Sequence, residues 1–310
     1  MKKVSLSPNQ IRLPQDSQRW IEYCAQIVRQ TPTEIQSLKN KFARNYKIVW
    51  YLTNPSPNSN RSSKTVLFCS PHSDDLPLVA TAATHHHIKQ GDTVLELLFT
   101  NASTGRESRG FADNESFLTV RLAEDILSSQ ITGVNKIGII TLPDGTSGFS
   151  ESRWRGDDPT LSSVWESIVR TINPHIMYSP HPDLEADRHP DHHAVAKAVE
   201  RMIAWGTEND FWQGRVPGKA DRFLSWRRYA TWGKGVPNPN LYFEYDPEGD
   251  IPSLRQKALD CFVSQAGSEY GKIGNARALY LGGMQTVGTG KIKAREVFDE
   301  LTPATVIAVE

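Results

Sequence analysis

Residues 65–75, TVLFCSPHSDD, decide the interpretation of the rest of the chain. The apolar part of this stretch predicts a buried strand, which the proline at position 71 ends. His72, Asp74 and Asp75 then follow at the carboxyl end of the strand, the edge at which ligands bind in open α/β sheets. Two interpretations fit these residues equally: a polar site, or merely the start of a helix, where acidic residues suit the helix dipole.

A second polar cluster, HPDH at residues 189–192, favours the site. His189 and His192 are three positions apart at the start of a predicted helix, so both imidazoles share one helix face. Pro190 suits the first helical turn, and Asp191 can cap the helix or orient an imidazole. Two histidines on one turn are often surface or capping residues. Both clusters nevertheless follow predicted strands, and this pairing makes coincidence the weaker explanation.

Predicted strands and helices alternate from residue 64, which indicates an α/β fold with a mainly parallel sheet and helices on both faces. We predict three parts: an N-terminal helical extension at 1–63, a catalytic core at 64–204, and a lid or cap region with C-terminal elements at 205–310. The third part completes the same domain. Its aromatic residues lack steady periodicity, which is typical of an irregular lid.

Four smaller features are interpreted as ordinary structure. An apolar stripe that includes Trp20 predicts packing of an N-terminal helix, and residues 31–34 have the capping-box pattern of a second helix. Arg121 and Glu124 have the spacing of a surface pair on a helix. The three histidines at 85–87 point around their helix, so we expect them to be solvated. No catalytic residue is expected before residue 64.

Composition excludes several classes of protein. The 310 residues include 35 basic and 35 acidic side chains, so no charge imbalance argues for nucleic-acid or membrane partners. No apolar run approaches the roughly 18 residues of a transmembrane helix, and the N-terminus lacks the apolar core of a signal peptide. Three widely spaced cysteines form neither a disulfide framework nor a zinc–cysteine pattern. We therefore expect a soluble cytoplasmic protein.

The two polar clusters together suit amide hydrolysis. His72, Asp75 and His192 form a three-ligand set for Zn²⁺, or another divalent metal, with one position open, as in catalytic zinc sites. Zinc lowers the pKa of a bound water to about 7 and polarises a carbonyl group. Asp74, beside the ligands, can accept the water's proton. His189 can stabilise the oxyanion as an imidazolium and protonate the leaving amine.

Substrate contacts are expected in the loops around the same crevice. The loop at 101–114 contains Arg106 and Arg109, which can grip a carboxylate or phosphate. Asp144 can face the crevice too, although a turn explains an aspartate without any function. Aromatic residues between 205 and 243 can cover a sugar ring or simply pack under a loop. His181 is the alternative metal ligand, because it precedes the same helix as His192.

The sequence resembles the GlcNAc-phosphatidylinositol de-N-acetylase superfamily, also called LmbE-like. Its hallmarks are His-Pro-Asp-Asp after the first core strand and His-Pro-Asp-His before a late helix; here they are 72–75, with serine for proline, and an intact 189–192. Lesser similarities lie at Thr100-Asn101, Arg121-Leu122-Ala123-Glu124, Leu142-Pro143-Asp144-Gly145 and Ser264-Gln265. Leu76 stands where an acidic residue is common, and Ala102-Ser103 replace the usual Gly-Glu, so the substrate loop departs from the family pattern.

The resemblance implies a Rossmann-like fold and a zinc-dependent N-deacetylase. It assigns the metal to His72, Asp75 and His192, the general base to Asp74, and the acid to His189 with Asp191 as its modulator. The substrates it implies are small N-acyl amino-sugar conjugates. Two other functions stay open: a metallophosphoesterase, which would hold two ions about 3.5–4 Å apart, and a sugar- or nucleotide-binding module without catalysis.

Overall fold

The structure is a computed structural model of the chain. It describes residues 17–39, 41–43, 45–56, 63–101, 103, 111–209, 223, 225–231, 235–265, 276 and 294–302. The strands are β1 (Thr33–Ser37), β2 (Lys47–Leu52), β3 (Thr65–Ser70), β4 (Thr93–Leu98), β5 (Lys136–Thr141), β6 (Ile176–Pro180), β7 (Ser225–Tyr229), β8 (Leu241–Tyr245) and β9 (Ala294–Leu301). The helices are α1 (Ser17–Gln30), α2 (Asp75–Val79), α3 (Thr81–Gln90), α4 (Asn114–Thr132), α5 (Ser162–Ile172), α6 (Pro190–Glu208) and α7 (Asp250–Leu259).

A nine-stranded sheet forms the centre of the described chain, in the order β1-β2-β5-β4-β3-β6-β7-β9-β8. The five inner strands, from β5 to β7, are parallel. Antiparallel strands flank them at both edges. The predicted α/β class, with a mainly parallel sheet covered by helices, is therefore confirmed.

The strand order places the two polar clusters together. From β3 the chain runs outward through β4 and β5, and it then returns to add β6 and β7 on the other side of β3. Strand order thus reverses between β3 and β6, which is where ligands bind in doubly wound sheets. The chain that follows β3 carries residues 72–75 into α2, and the chain that follows β6 carries residues 181–192 into α6, so both groups lie at this crevice.

Strand β3 is buried on both faces, as its apolar sequence predicts. Its alternate side chains point to opposite sides of the sheet. Val66 and Phe68 pack in a cluster with residues of α2 and α3, whereas Leu67 and Cys69 pack with residues of α5 and α6. The strand that positions the site is therefore held by apolar packing from both helical layers.

The N-terminal region differs from the helical extension that the sequence predicted. Helix α1 forms, but the capping-box residues lead into β1, which pairs antiparallel with β2. The β-branched residues Thr33 and Ile35 suit a strand, and the exposed backbone edge of β2 offers them hydrogen bonds. Tertiary pairing has therefore overridden a local helix-start signal. Strand β2 contains the aromatic and β-branched residues that are typical of a strand.

The region after α6 contains more regular structure than an irregular lid. Strands β7, β8 and β9 extend the sheet beyond β6, and α7 packs against α4. Tyr229 and Phe298 are buried in the sheet's core, which shows that part of the aromatic content serves packing.

Among the described residues, no helix has the length and apolar character needed to cross a membrane.

Candidate active site

Asp75 is the centre of the site. It is the first residue of α2, and its carboxylate accepts a hydrogen bond from the backbone N–H of His72 at 2.9 Å. One carboxylate oxygen lies 3.3 Å from His72 Nδ1, and the other lies 3.3 Å from His192 Nε2. The carboxylate therefore stands between the two imidazoles, and the structure brings the three predicted metal ligands together.

His192 is fully buried and its ring orientation is fixed. Its Nδ1 lies 2.8 Å from Asp187, whose carboxylate also accepts a hydrogen bond from the Thr231 backbone at 2.7 Å. A proton on Nδ1 leaves Nε2 with a free lone pair. Although Nε2 is near Asp75, it makes no hydrogen bond to any described residue. A buried nitrogen without a hydrogen bond is expected to have a ligand.

The donor set fits a divalent cation. Two imidazoles and one carboxylate are ligands that zinc accepts, and the carboxylate that orients His192 is the usual outer partner of a metal-bound histidine. Two groups of ligand atoms in the described chain lie within 4.8 Å of one another: His72 with His189 and His192, and His72 with Glu151 and Asp191. Asp75 is in neither group, but its two carboxylate oxygens lie 3.3 Å from His72 Nδ1 and from His192 Nε2. We favour the set that contains Asp75, because it includes the orphaned nitrogen and an oriented carboxylate.

The charges of Asp75, His72 and His192 depend on one another. Burial disfavours the charged form of His192, but Asp75 and Asp187 outweigh it and raise the pKa of His192 to about 9. Burial likewise opposes ionisation of Asp75, whereas His192 and His72 outweigh that effect and hold its pKa well below the usual value.

Asp74 lies next to Asp75 but has a different partner. Its carboxylate accepts a hydrogen bond of 2.8 Å from Nη2 of Arg121 on α4. Arg121 is buried, with only 2 % of its surface exposed, so the predicted solvated pair with Glu124 was wrong. The reason is that α4 turns this face towards the loop after β3 rather than towards solvent.

His189 and Asp191 border the same space. His189 is the N-cap of α6, and its Nδ1 accepts a hydrogen bond from the backbone N–H of Asp191 at 3.3 Å. Burial, together with His72 and His192, lowers the pKa of His189. The lowered pKa favours a neutral His189 imidazole at neutral pH. From the sequence, an imidazolium was instead predicted at this position. The Asp191 carboxylate is nearer to His72 Nε2, at 3.3 Å, than to His189, at 3.8 Å.

Two acidic residues of the site were missed in the sequence. Glu151, on the loop after β5, is buried and lies 3.6 Å from His72 Nε2. Its neighbour Ser152 has a left-handed backbone (φ 61°) and donates its N–H to Asp191 at 2.6 Å. The second acidic residue that was missed is Asp187, which orients His192. Asp187 is five positions before His192 and could have been considered, whereas no local pattern marks Glu151.

The predicted substrate contacts have different outcomes. Arg106 and Arg109 lie outside the described residues. Asp144 is exposed and accepts a hydrogen bond from the Thr146 backbone at 2.9 Å, as a turn aspartate does. Trp205 packs against the core and under Arg170. His181, the alternative ligand, lies 3.5 Å from Asp299 of β9.

The predicted solvation of residues 85–87 was wrong for one of the three histidines. His87 is buried, with Nδ1 2.8 Å from Asp92 and Nε2 3.0 Å from the Tyr178 hydroxyl. It is therefore a core histidine with both ring nitrogens satisfied.

Comparison with known proteins agrees with this geometry. Residues 67–203 match the model of the PIG-L family, described as GlcNAc-PI de-N-acetylase, which confirms the resemblance seen in the two motifs. The diacetylchitobiose deacetylase of Thermococcus kodakarensis is 28% identical over 147 residues, which are 47% of this chain and 52% of that protein. The match thus spans about half the length of the curated relative.

Solved structures share the fold. The N,N'-diacetylchitobiose deacetylase of Pyrococcus horikoshii superposes with a TM-score of 0.59 and 17% identity, over 78% of this chain and 85% of that one. The 4-carboxy-2-hydroxymuconate hydratase of Pseudomonas putida gives 0.54 and 18%, over 77% and 97%. A deacetylase and a hydratase thus have the same architecture, so the fold alone does not define the reaction that this chain catalyses.

Proposed function

We propose that the chain is a metal-dependent hydrolase that removes an N-acetyl or other N-acyl group from an amino-sugar conjugate. The observation that carries this proposal is the buried Nε2 of His192, which faces Asp75 without a hydrogen bond to any described residue. The family match over 67–203 and the 28%-identical deacetylase support the reaction class.

His72, Asp75 and His192 would hold the metal, with Zn²⁺ as the expected ion. When bound, a divalent cation polarises the amide carbonyl and acidifies the attacking water. Asp74 accepts the proton that the water loses, and Arg121 orients the Asp74 carboxylate through its 2.8 Å hydrogen bond. We propose that the same proton passes from Asp74 to the leaving nitrogen as the C–N bond breaks.

His189 would stabilise the tetrahedral oxyanion. Because its Nδ1 accepts the Asp191 backbone N–H, the imidazole proton is assigned to Nε2. A neutral imidazole with this tautomer can donate one hydrogen bond to the developing negative charge. Asp191 would orient His72 through the nitrogen that faces away from Asp75. Arg106, Arg109 and Asp144 are proposed to contact the amino-sugar substrate.

The proposal is tested by measuring acetate and free amine released from a panel of N-acetylated amino sugars. We expect equimolar products from the zinc-loaded protein, loss of activity after chelation, and recovery on adding zinc. Phosphate monoesters belong in the same panel. Phosphate release with two ions per chain would instead indicate a metallophosphoesterase, and tight sugar binding without metal or turnover would indicate a binding module.

A further inference from the structure

We propose that α1 is part of the catalytic unit, because Trp20 of α1 and Ser264 hold Glu124 where it fixes Arg121, the residue that orients Asp74. The inference rests on the proposed role of Asp74 as the base. Trp20, Glu124 and Ser264 act through Arg121, so they are positioning residues.

Glu124 on α4 is the centre of this arrangement. It is fully buried, and its Oε1 accepts hydrogen bonds from the Trp20 indole N–H at 3.0 Å and the Ser264 backbone N–H at 2.7 Å. Its Oε2 accepts a hydrogen bond of 2.5 Å from the Ser264 hydroxyl. Three donors from two distant parts of the chain therefore fix one carboxylate, which a buried carboxylate requires.

Arg121 lies one helical turn before Glu124 and connects it to the site. Its Nη1 is 3.8 Å from Glu124 Oε2, and its Nη2 donates to Asp74 at 2.8 Å. Neither Nε nor Nη1 has a hydrogen-bond partner among the described residues. The orientation of this buried guanidinium thus depends on two carboxylates, Asp74 at the site and Glu124 behind it.

Helix α1 contacts Glu124 through the indole N–H of Trp20. The indole ring is completely buried and packs with Phe117, Val120 and Ala123 of α4. Packing alone would be served by any large apolar ring, whereas the N–H group donates a hydrogen bond to the buried carboxylate of Glu124. Helix α1 lies before residue 67, where the family match begins, so this donor comes from outside the matched segment.

The charge of Glu124 depends on these donors. Burial raises the pKa of Glu124 to about 7, while Arg121 and the hydrogen bonds from Ser264 and Trp20 oppose that rise. Loss of the indole donor would favour neutral Glu124. Arg121 would then be held by Asp74 without the opposing charge of Glu124, so the guanidinium would shift and the Asp74 carboxylate would be less well placed for proton transfer.

The test compares two buried tryptophans that each donate one side-chain hydrogen bond. Trp20→Phe removes the donor to Glu124, and Trp50→Phe removes a donor to Gln36 on the far side of the sheet. We expect Trp20→Phe to lower kcat about 5- to 50-fold, with KM and metal content unchanged, because small displacements of a catalytic group are costly. Trp50→Phe should leave both constants at wild-type values.

A double-mutant cycle separates positioning from general destabilisation. In a Glu124→Gln background, Trp20→Phe should lower kcat much less than in the wild type, because both changes disturb the same support of Arg121. If Trp20→Phe does not fold, Ser264→Ala, which removes another donor to Glu124, must lower kcat. An active wild type with unchanged kcat in Trp20→Phe, or in Ser264→Ala where that variant is needed, would overturn the inference. An inactive wild type would count against the proposed function instead.

Discussion

His72 has acidic groups on both of its ring nitrogens. Nδ1 faces Asp75 at 3.3 Å, while Nε2 faces Asp191 at 3.3 Å and Glu151 at 3.6 Å. Carboxylates beside Nε2 favour a proton there, which directs the lone pair of Nδ1 towards Asp75. The atom that His72 would offer to a metal is thus selected by Glu151 of the loop after β5 and by Asp191 in the first turn of α6.

Glu151→Gln should weaken metal binding about 10-fold, because outer partners of a metal-bound histidine commonly contribute that much to affinity. The measurement is competition for zinc against a chelator of known affinity. Glu185→Gln changes an exposed carboxylate on another loop of the same edge and should bind zinc like the wild type. Equal affinity in both variants would show that Glu151 does not orient His72.

Short motifs predicted the central residues, and tertiary contacts explain those that were missed. His72, Asp74 and Asp75 are adjacent in sequence, and His189 and His192 share one helical turn, so local patterns revealed both groups. Glu151 approaches His72 only because β5 and β3 end at the same edge of the sheet. The burial of Arg121 likewise depends on packing that the spacing of residues on α4 does not contain.

At the scale of elements, one loop joins two parts of the site. The chain at 149–156 carries Glu151 and Ser152, and it presses on α6 at Gly156. A Cβ atom at Gly156 would lie 1.6 Å from the carbonyl oxygen of Ala194. Helix α6 also carries His192, a proposed metal ligand. The close approach at Gly156 therefore fixes the position of the loop relative to His192.

Gly156→Ala should destabilise the protein by about 3 kcal/mol, because backbone must move to admit the methyl group. It should also weaken zinc binding by displacing Glu151. The control is Gly145→Ala: its positive φ of 88° disfavours alanine, but no atom lies within 4 Å of the added Cβ, so only about 1 kcal/mol of backbone strain is expected. Urea unfolding measures both variants. Equal losses would refute the tight contact between loop and helix.

Element prediction succeeded where one strong pattern dominated. The apolar run of β3 and the alternation of strands and helices that follows it both agree with the structure. It failed at β1, where a local capping pattern competed with an available strand edge. It also failed for β7 and β8, whose aromatic residues pack non-locally and therefore leave no regular period in the sequence.

At the scale of the whole molecule, the formal net charge is zero, yet several acidic side chains are buried together near the site. Glu96 on β4 is buried near Asp74 and Asp75, and Asp125 on α4 is buried near Glu96 and Asp74. Burial is the main cause that raises the pKa of Glu96 to about 8; the Ser70 hydrogen bond opposes it, and the charges of Asp75 and Asp74 add to it. The folded protein therefore keeps a proton that the unfolded chain releases near pH 4.5.

The stability that Glu96 contributes falls as the pH rises. Since the folded pKa of Glu96 is raised, its contribution to stability is full below pH 4.5 and is lost as pH rises to about 8. Glu96→Gln should thus gain stability relative to the wild type between pH 5 and pH 9. Urea midpoints of the chelated proteins measure this, with the partly exposed Glu200→Gln as control. Parallel pH profiles for wild type and Glu96→Gln would contradict the prediction.

The division of labour between the two adjacent aspartates is tested most directly by measuring zinc content and turnover together on Asp74→Asn and Asp75→Ala. Asp75→Ala should lose the metal, because one of three protein ligands is gone. Asp74→Asn should keep one zinc per chain, yet turn over about 10²- to 10⁴-fold more slowly, because an amide cannot accept the water's proton. A metal-free Asp74→Asn protein, or one that is zinc-loaded and fully active, would contradict the assignment of Asp74 as the base.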